Sequence, residues 1–322
     1  MTPQRTAAVP KQVVPDHAHV YRLSWRDKSG PAVSFGGQSK SAGRRGVAPG
    51  HTETGKRPSS KAVRESDATG GSGTRVAGKA GRGGSETMAD AAFHIGLLLF
   101  PRLTQLDLTG PYEVFARMPG AAVNLLWKNL EPVQSDRGLA ILPTATLQTC
   151  PQLDLVCIPG GPGVNEVLTD TDVLAFLRRV ASRAKYVTSV CSGSLVLGAA
   201  GLLRRRRASS HWMSREMLRS FGAEPVDART VVDGNVITGG GVTAGIDLAL
   251  QVVAEIAGRD AAEAIQLAIE YDPRPPFDAG SPNRARQELV RKVARAAEPM
   301  LRERAEQVRR AAAALDAAEL RH

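Results

Sequence analysis

One cysteine sits where two patterns meet, in Tyr186-Val-Thr-Ser-Val-Cys191-Ser-Gly-Ser-Leu-Val-Leu197. An apolar, β-branched run precedes it and a helical run follows, so Cys191 falls on a strand-to-helix turn. Backbone N–H groups and the positive end of a helix dipole favour thiolate, the nucleophilic form, at such a position. Ser192, Gly193 and Ser194 are small enough for a tight turn that leaves room for a substrate, as at a strand–nucleophile–helix elbow. The same pattern also suits a buried apolar cysteine. Which reading holds depends on what the rest of the chain brings beside it.

Three further candidates accompany Cys191. Gly160-Gly161 follows the buried run Leu153 to Pro159 and precedes a helix. It serves as a plain turn, or its N–H groups point at the cysteine's crevice and stabilise charge on an adduct. Asp107, in Thr104-Gln-Leu-Asp-Leu-Thr-Gly-Pro-Tyr112, reads either as a cap or turn residue just before a helix or as a carboxyl in an apolar crevice. Desolvation in such a crevice would raise its pKa until it can give a proton. Ser192 caps the helix through its hydroxyl, or relays a proton and binds substrate. His94 reads as a strand residue; His211, at a strand end, reads as a structurally hydrogen-bonded side chain or, alternatively, as a contact to the site; and Arg204 to Arg207 read as a solvated loop rather than a binding patch. No glycine pattern of a dinucleotide or Walker loop occurs in its required context.

The elements that must position these groups alternate. Phe93–Phe100, Val123–Lys128, Leu153–Pro159 and Tyr186–Val190 read as strands, the first and third as nearly continuous apolar runs suited to burial on both faces. Helices are expected over Gly110–Met118, with Pro111 in the first turn, within Val164–Ala184, and over Leu195–Leu203, Ser214–Phe221 and Ala244–Ala257. Shorter strands are expected at Ala208–His211, Thr230–Val232 and Asn235–Thr238. This alternation predicts a doubly wound α/β domain with a mostly parallel sheet. Ligands bind beyond the carboxyl ends of such strands, where Asp107, Gly160, Gly161 and Cys191 would arrive. After Pro282 an Arg/Ala/Glu-rich stretch with apolar residues every three to five positions predicts an amphipathic helix, interrupted or kinked at Pro299, that packs as an arm or lies solvated.

The chain of 322 residues carries a net charge of +10, but its first 87 residues hold 15 Lys and Arg against 6 Asp and Glu, which is +9 of that total. Those residues are Gly-, Ser-, Arg- and Pro-rich without a sustained period, which predicts disorder, with translation starting at Met88 as the leading expectation. The domain organisation read here is thus a basic extension over 1–87, a catalytic domain over 88–282 and a helical tail over 283–322. Basic residues confined to flanks do not make a nucleic-acid footprint. Cys150, Cys157 and Cys191 have no repeated spacing, which speaks against a disulfide framework and a zinc knuckle, and the reducing cytosol is the expected compartment. No apolar run approaches the ~20 residues of a membrane span.

Several stretches together resemble the ThiJ/PfpI superfamily and, within it, the bacterial isonitrile hydratases. They are Ile95-Gly-Leu-Leu-Leu-Phe-Pro101, Gln105-Leu-Asp-Leu-Thr-Gly-Pro-Tyr112, Ile158-Pro-Gly-Gly161, Tyr186 to Cys191, Leu195 to Leu203, Gly239 to Asp247 and Pro275 to Pro282. The resemblance implies a flavodoxin-like sheet of the class I glutamine amidotransferase type, a homodimer, a small-molecule isonitrile substrate, and no metal or organic cofactor. It implies Cys191 as nucleophile and Asp107 as the carboxylate facing it. Ser192 stands where these hydratases have threonine, keeping the hydroxyl without the methyl. Many other superfamily members have histidine there, so its absence speaks against a Cys-His peptidase or glyoxalase. Another cysteine-dependent small-molecule activity, a redox sensor using Cys191, and the sensory half of an AraC-type regulator are the alternatives. The tail after Pro282 is too short and uniform for the regulator's two helix-turn-helix units.

Overall fold

The computed structural model describes residues 93–319, so the expectations for residues 1–87 and for a start at Met88 lie outside the described residues. The described elements are, in order, β1 (Phe93–Leu98), α1 (Gln105–Phe115), β2 (Ala121–Trp127), β3 (Val133–Gln134), β4 (Ala140–Ile141), β5 (Ala145–Thr146) and β6 (Leu155–Ile158). Then come α2 (Val164–Val167), α3 (Thr171–Ala181), β7 (Tyr186–Val190), α4 (Gly193–Ala199), β8 (Arg207–Ala208), a 3₁₀ helix (Arg215–Phe221) and β9 (Glu224–Pro225). Strands β10 (Thr230–Asp233) and β11 (Val236–Gly239) lead to helices α5 (Ala244–Ala257), α6 (Arg259–Ala268) and α7 (Gln287–Glu319).

Seven strands form one sheet in the order β10-β11-β7-β6-β1-β2-β5, parallel except for the β10–β11 hairpin at one edge. The doubly wound reading follows from that order. The chain steps from β1 outward to β2, then returns to the other side of β1 with β6 and continues through β7 to β11. Crossovers of a single hand taken in opposite directions place α1 on one face and α3 and α4 on the other. Strand order reverses between β1 and β6, and the crevice of such sheets opens at the carboxyl ends of those strands. The loops after β1, β6 and β7 carry Thr104, Gly160 and Cys191.

Local chemistry explains most boundaries. β6 is buried at all four positions, as expected of a central strand covered on both faces. Helix α3 is capped by Asp170, whose carboxylate accepts the N–H groups of Asp172 and Val173. Elsewhere tertiary packing overrides the local signal. Helix α1 begins at Gln105, five residues before the expected Gly110, so Pro111 lies in mid-helix rather than in the first turn. Gly110 and Pro111 are the contact surface for α5: a Cβ on Gly110 would sit 3.2 Å from Ile246, and one on Gly245 would sit 3.0 Å from Pro111. The Val164–Ala184 stretch splits into α2 and α3, Ser214–Phe221 is a 3₁₀ helix, and the strand expected at Ala208–His211 is only Arg207–Ala208, paired with β9. The four-arginine run is not merely solvated, since Arg204 pairs with Asp316 at 2.9 Å and Arg206 bonds the Asp233 carbonyl at 2.8 Å.

The C-terminal segment is one helix of 33 residues that runs on through Pro299. It is a packing arm: Arg304, Val308 and Ala311 are buried and Leu315 partly so, against α2, α4 and the 3₁₀ helix.

Candidate active site

Strand β7 delivers Cys191 into the crevice with φ at 58°, the left-handed region that a side chain with Cβ rarely adopts. Such a conformation costs about 1–3 kcal/mol and persists only where the surroundings fix it. Here the Cys191 N–H donates to the Gly239 carbonyl at 3.0 Å, while its own carbonyl accepts the Ser210 hydroxyl at 3.1 Å and the Ser194 hydroxyl at 3.4 Å. Helix α4 starts two residues on, at Gly193, pressed so closely against the Ile158 and Pro159 carbonyls that no Cβ would fit. The Cys191 side chain is buried at 6% exposure, not sealed.

Asp107 lies in the first turn of α1 and is wholly buried. It is not the cap: that position is Thr104, which makes no side-chain capping bond. One carboxyl oxygen, Oδ2, accepts the Gly160 N–H at 2.9 Å, whereas Oδ1 has no hydrogen-bond partner among the described residues. Burial raises the Asp107 pKa to about 7, against the pull of the Gly160 N–H and the Cys191 thiol, with a further push from Asp136. Burial and the charge of Asp107 push the Cys191 thiol well above its ordinary value, opposed by the Ser192 N–H and the Arg304 charge. A thiolate at rest, expected from the helix start alone, therefore gives way to a protonated thiol beside a carboxyl that titrates near neutrality.

Gly160 and Gly161 do reach the crevice, but both N–H groups are already engaged. Gly160 holds Asp107, and Gly161 donates to Ser192 Oγ at 3.1 Å. Their role in this structure is to position the two side chains rather than to present free donors to an adduct. Only glycine fits at 160, where a Cβ would lie 2.6 Å from Ser192 N and 2.8 Å from Asp107 Oδ2. Ser192 makes no side-chain capping bond to α4, and its hydroxyl belongs to the Gly161 contact.

The residue that the sequence reading misses is Arg304 of α7. It is 3% exposed, and its guanidinium donates to Gly161 O at 2.7 Å, Asn165 Oδ1 at 2.9 Å and Ser214 Oγ at 3.0 Å. The only sequence signal is its place in the stripe, four residues after Met300 and four before Val308. His211 is structural, as expected, with Nδ1 accepting the Met213 N–H at 3.4 Å, and burial together with Arg304 lowers its pKa to about 4. A cavity of about 410 Å³ lined by Ser210, His211, Trp212, Arg229 and Thr243 adjoins this side of the site. Cys157, fully buried in β6 with its thiol pushed up to about 12, is a core residue. Among the described residues no three His, Cys, Asp or Glu side chains converge to hold a metal ion, and no helix is long and apolar enough to cross a membrane.

This arrangement can pass a proton between a buried carboxyl and a buried thiol and then use the sulfur as a nucleophile. Comparison with known proteins agrees with the fold. The DJ-1/PfpI family profile matches residues 94–255. Isonitrile hydratase from Pseudomonas putida is 52% identical over 225 residues, which is 70% of this chain and 99% of that protein. A ThiJ/PfpI family protein from Pseudomonas syringae, known from a crystal structure, is 45% identical, with 67% of this chain and 90% of that chain covered and a TM-score of 0.66. The HTH-type transcriptional regulator GbdR of Pseudomonas aeruginosa is 29% identical over 187 residues, 55% of this chain and 50% of the regulator. The 225 residues aligned with the hydratase exceed the 190 from Phe93 to Pro282, so the likeness extends past the stretch whose motifs carry the resemblance.

Proposed function

Because the chain belongs to the DJ-1/PfpI family, we propose that it is a cysteine-dependent enzyme that hydrates an isonitrile, R–N≡C, to the N-substituted formamide R–NH–CHO. The observation that carries this reading is the Asp107–Cys191 pair, a carboxyl with a pKa of about 7 beside a buried thiol, in a chain this similar to an isonitrile hydratase. The terminal carbon of an isonitrile is electron-rich and must be protonated before a nucleophile can add to it. A singly protonated pair, with one proton shared between sulfur and carboxylate and one net negative charge, supplies both needs.

The thiol proton passes to Asp107 and from there to the isonitrile carbon, sulfur attacks that carbon, and a thioimidate R–N=CH–S joins substrate to Cys191. Asp107, again a carboxylate, then takes a proton from water as the water oxygen adds to the same carbon, and that proton moves on to nitrogen. The tetrahedral adduct R–NH–CH(OH)–S collapses as its hydroxyl proton returns to sulfur and the C–S bond breaks. Formamide and the Cys191 thiol are released, with water as the only other reactant. Splitting a difficult addition into two easier steps is what covalent catalysis offers. Ser192, one residue from sulfur and fixed by Gly161, orients the attacking water in this scheme, and no metal or organic cofactor takes part.

A homodimer in the cytoplasm is part of the same proposal, supported by exposed apolar side chains such as Leu267 and Phe277 and by three free cysteines. The regulator reading has little to support it, because the described C-terminal segment is a single helix packed on the domain. The test is direct: purified full-length protein with cyclohexyl isocyanide and no added cofactor, followed by chromatography for N-cyclohexylformamide. The proposal expects product from the folded protein. A folded protein that yields none refutes it and leaves a different electrophile, or redox sensing through Cys191, as the reading.

A further inference from the structure

We infer that Arg304, carried in by the C-terminal helix, is a positioning residue of the Cys191 site that fixes the Gly161–Ser192 limb and sets a permanent positive charge against the nucleophile. Its position in the helix is the first argument. Arg304 occupies the apolar stripe of α7 between Met300 and Val308, where a leucine or methionine would pack without the desolvation penalty of a buried ion. No carboxylate lies within ion-pair distance of it among the described residues. Its three bonds all go to neutral acceptors, an arrangement that stability alone does not favour.

What those acceptors do is the second argument. Gly161, Asn165 and Ser214 lie on three separate segments, the loop after β6, helix α2 and the entry to the 3₁₀ helix. The planar guanidinium fork ties them together as a lysine could not. Gly161 is the link to the chemistry, because its carbonyl accepts from Arg304 while its N–H donates to Ser192 Oγ. Two bonds therefore join α7 to the residue directly after the nucleophile. The Ser214 contact reaches the other flank, where Ser214 N–H bonds the His211 carbonyl and the neighbouring Ser210 hydroxyl bonds the Cys191 carbonyl.

Charge is the third argument. Asp107 of α1 and Arg304 of α7 act in opposite directions on the Cys191 thiol, the carboxylate raising its pKa and the guanidinium lowering it. Around Arg304 itself stand Glu166 of α2, Glu303 of its own helix, Arg102 and the neutral His211. Glu166 is exposed and paired with Arg102 at 2.6 Å, so solvent and Arg102 weaken its hold on the Arg304 charge. Burial lowers the Arg304 pKa to about 10, so the guanidinium stays charged where the enzyme works.

The inference rests on Cys191 being the reactive thiol, and the experiment reads that thiol without using an isonitrile. Full-length wild type, Arg304→Met and Arg304→Lys are alkylated with iodoacetamide at fixed pH values from 7 to 9, and the Cys191 peptide is quantified by mass spectrometry. Below the thiol pKa the rate follows the thiolate fraction, so losing the charge should slow Arg304→Met about tenfold, the equivalent of one pKa unit. Arg304→Lys keeps the charge and should stay within about threefold, while its kcat falls about tenfold or more because an ammonium cannot span three acceptors. An unchanged alkylation rate in folded Arg304→Met overturns the inference, whatever its turnover. If Arg304→Met does not fold, Arg304→Lys decides: a loss of kcat with retained alkylation supports the inference, and wild-type kcat overturns it. A protein that never hydrates isonitriles but shows the alkylation difference refutes the hydratase reading and leaves the Arg304 role standing.

Discussion

Asp107 and Cys191 act on each other's proton: the thiol lowers the pKa of the carboxyl, and the carboxylate raises that of the thiol. Both are buried at the carboxyl edge of the sheet, where β1 and β7 deliver them from opposite sides of β6. Two groups so placed titrate as a pair holding one proton between them, and the competent state is the one with that single proton.

The pH profile follows from this pair. Below about pH 7 the Asp107 carboxyl gains a second proton for the pair, so kcat/KM should fall about tenfold per pH unit there. It should reach a plateau above pH 7 and decline only at high pH, once the thiol, itself well above its ordinary value, is lost. Initial rates from pH 5 to 9.5 test this, and a profile flat from pH 5 to 7 contradicts it.

Asp107 should also make the fold less stable in the service of the reaction. Its folded pKa of about 7 lies above the unfolded value of 3.8, so the folded protein binds the proton more tightly. The contribution is therefore fully present below about pH 4, is lost as pH rises through 7, and above that the carboxylate is a net burden. Asp107→Asn keeps an acceptor for the Gly160 N–H and carries no charge, so it should be more stable than wild type at pH 8 by roughly 2–4 kcal/mol. The gain should vanish toward pH 4. Urea unfolding at the two pH values measures it, and turnover of this variant should be lost.

Gly160→Ala should damage the site while sparing the rest of the sheet. The added methyl group meets Ser192 N, Ser192 Oγ and Asp107 Oδ2, all at under 3 Å. Overpacking of this kind costs about 1–3 kcal/mol, and the displaced Asp107 should lower kcat at least tenfold. Kinetics alongside thermal unfolding separate the two effects, and wild-type kcat would show that this approach does not position the carboxyl.

The parts of the site legible in the sequence are those held by local pattern. Cys191, Ser192 and the glycine pair lie on strand-to-helix turns, which apolar runs and small residues mark in the chain. The course of α1 was not legible, because Gly110-Pro111 looks like a helix start until Gly245 and Ile246 of α5 give those residues a packing partner. Two-residue strands such as β3 and β4 carry no period to read. The engagement of the Gly160 and Gly161 N–H groups depends on side-chain acceptors 53 and 31 residues away. Arg304 is the extreme case, joined to Gly161 across 143 residues, and only its spacing of four from Met300 and from Val308 separates that arginine from its exposed neighbours in an Arg/Ala-rich helix.

Turnover of Cys191→Ala on cyclohexyl isocyanide, with circular dichroism and melting temperature as checks of its fold, decides whether the route through Cys191 is covalent. The expected result is a folded protein that forms no N-cyclohexylformamide above the rate in buffer. A folded Cys191→Ala protein that hydrates the isonitrile within about tenfold of wild type, set against the losses expected when a nucleophile is removed, would contradict it.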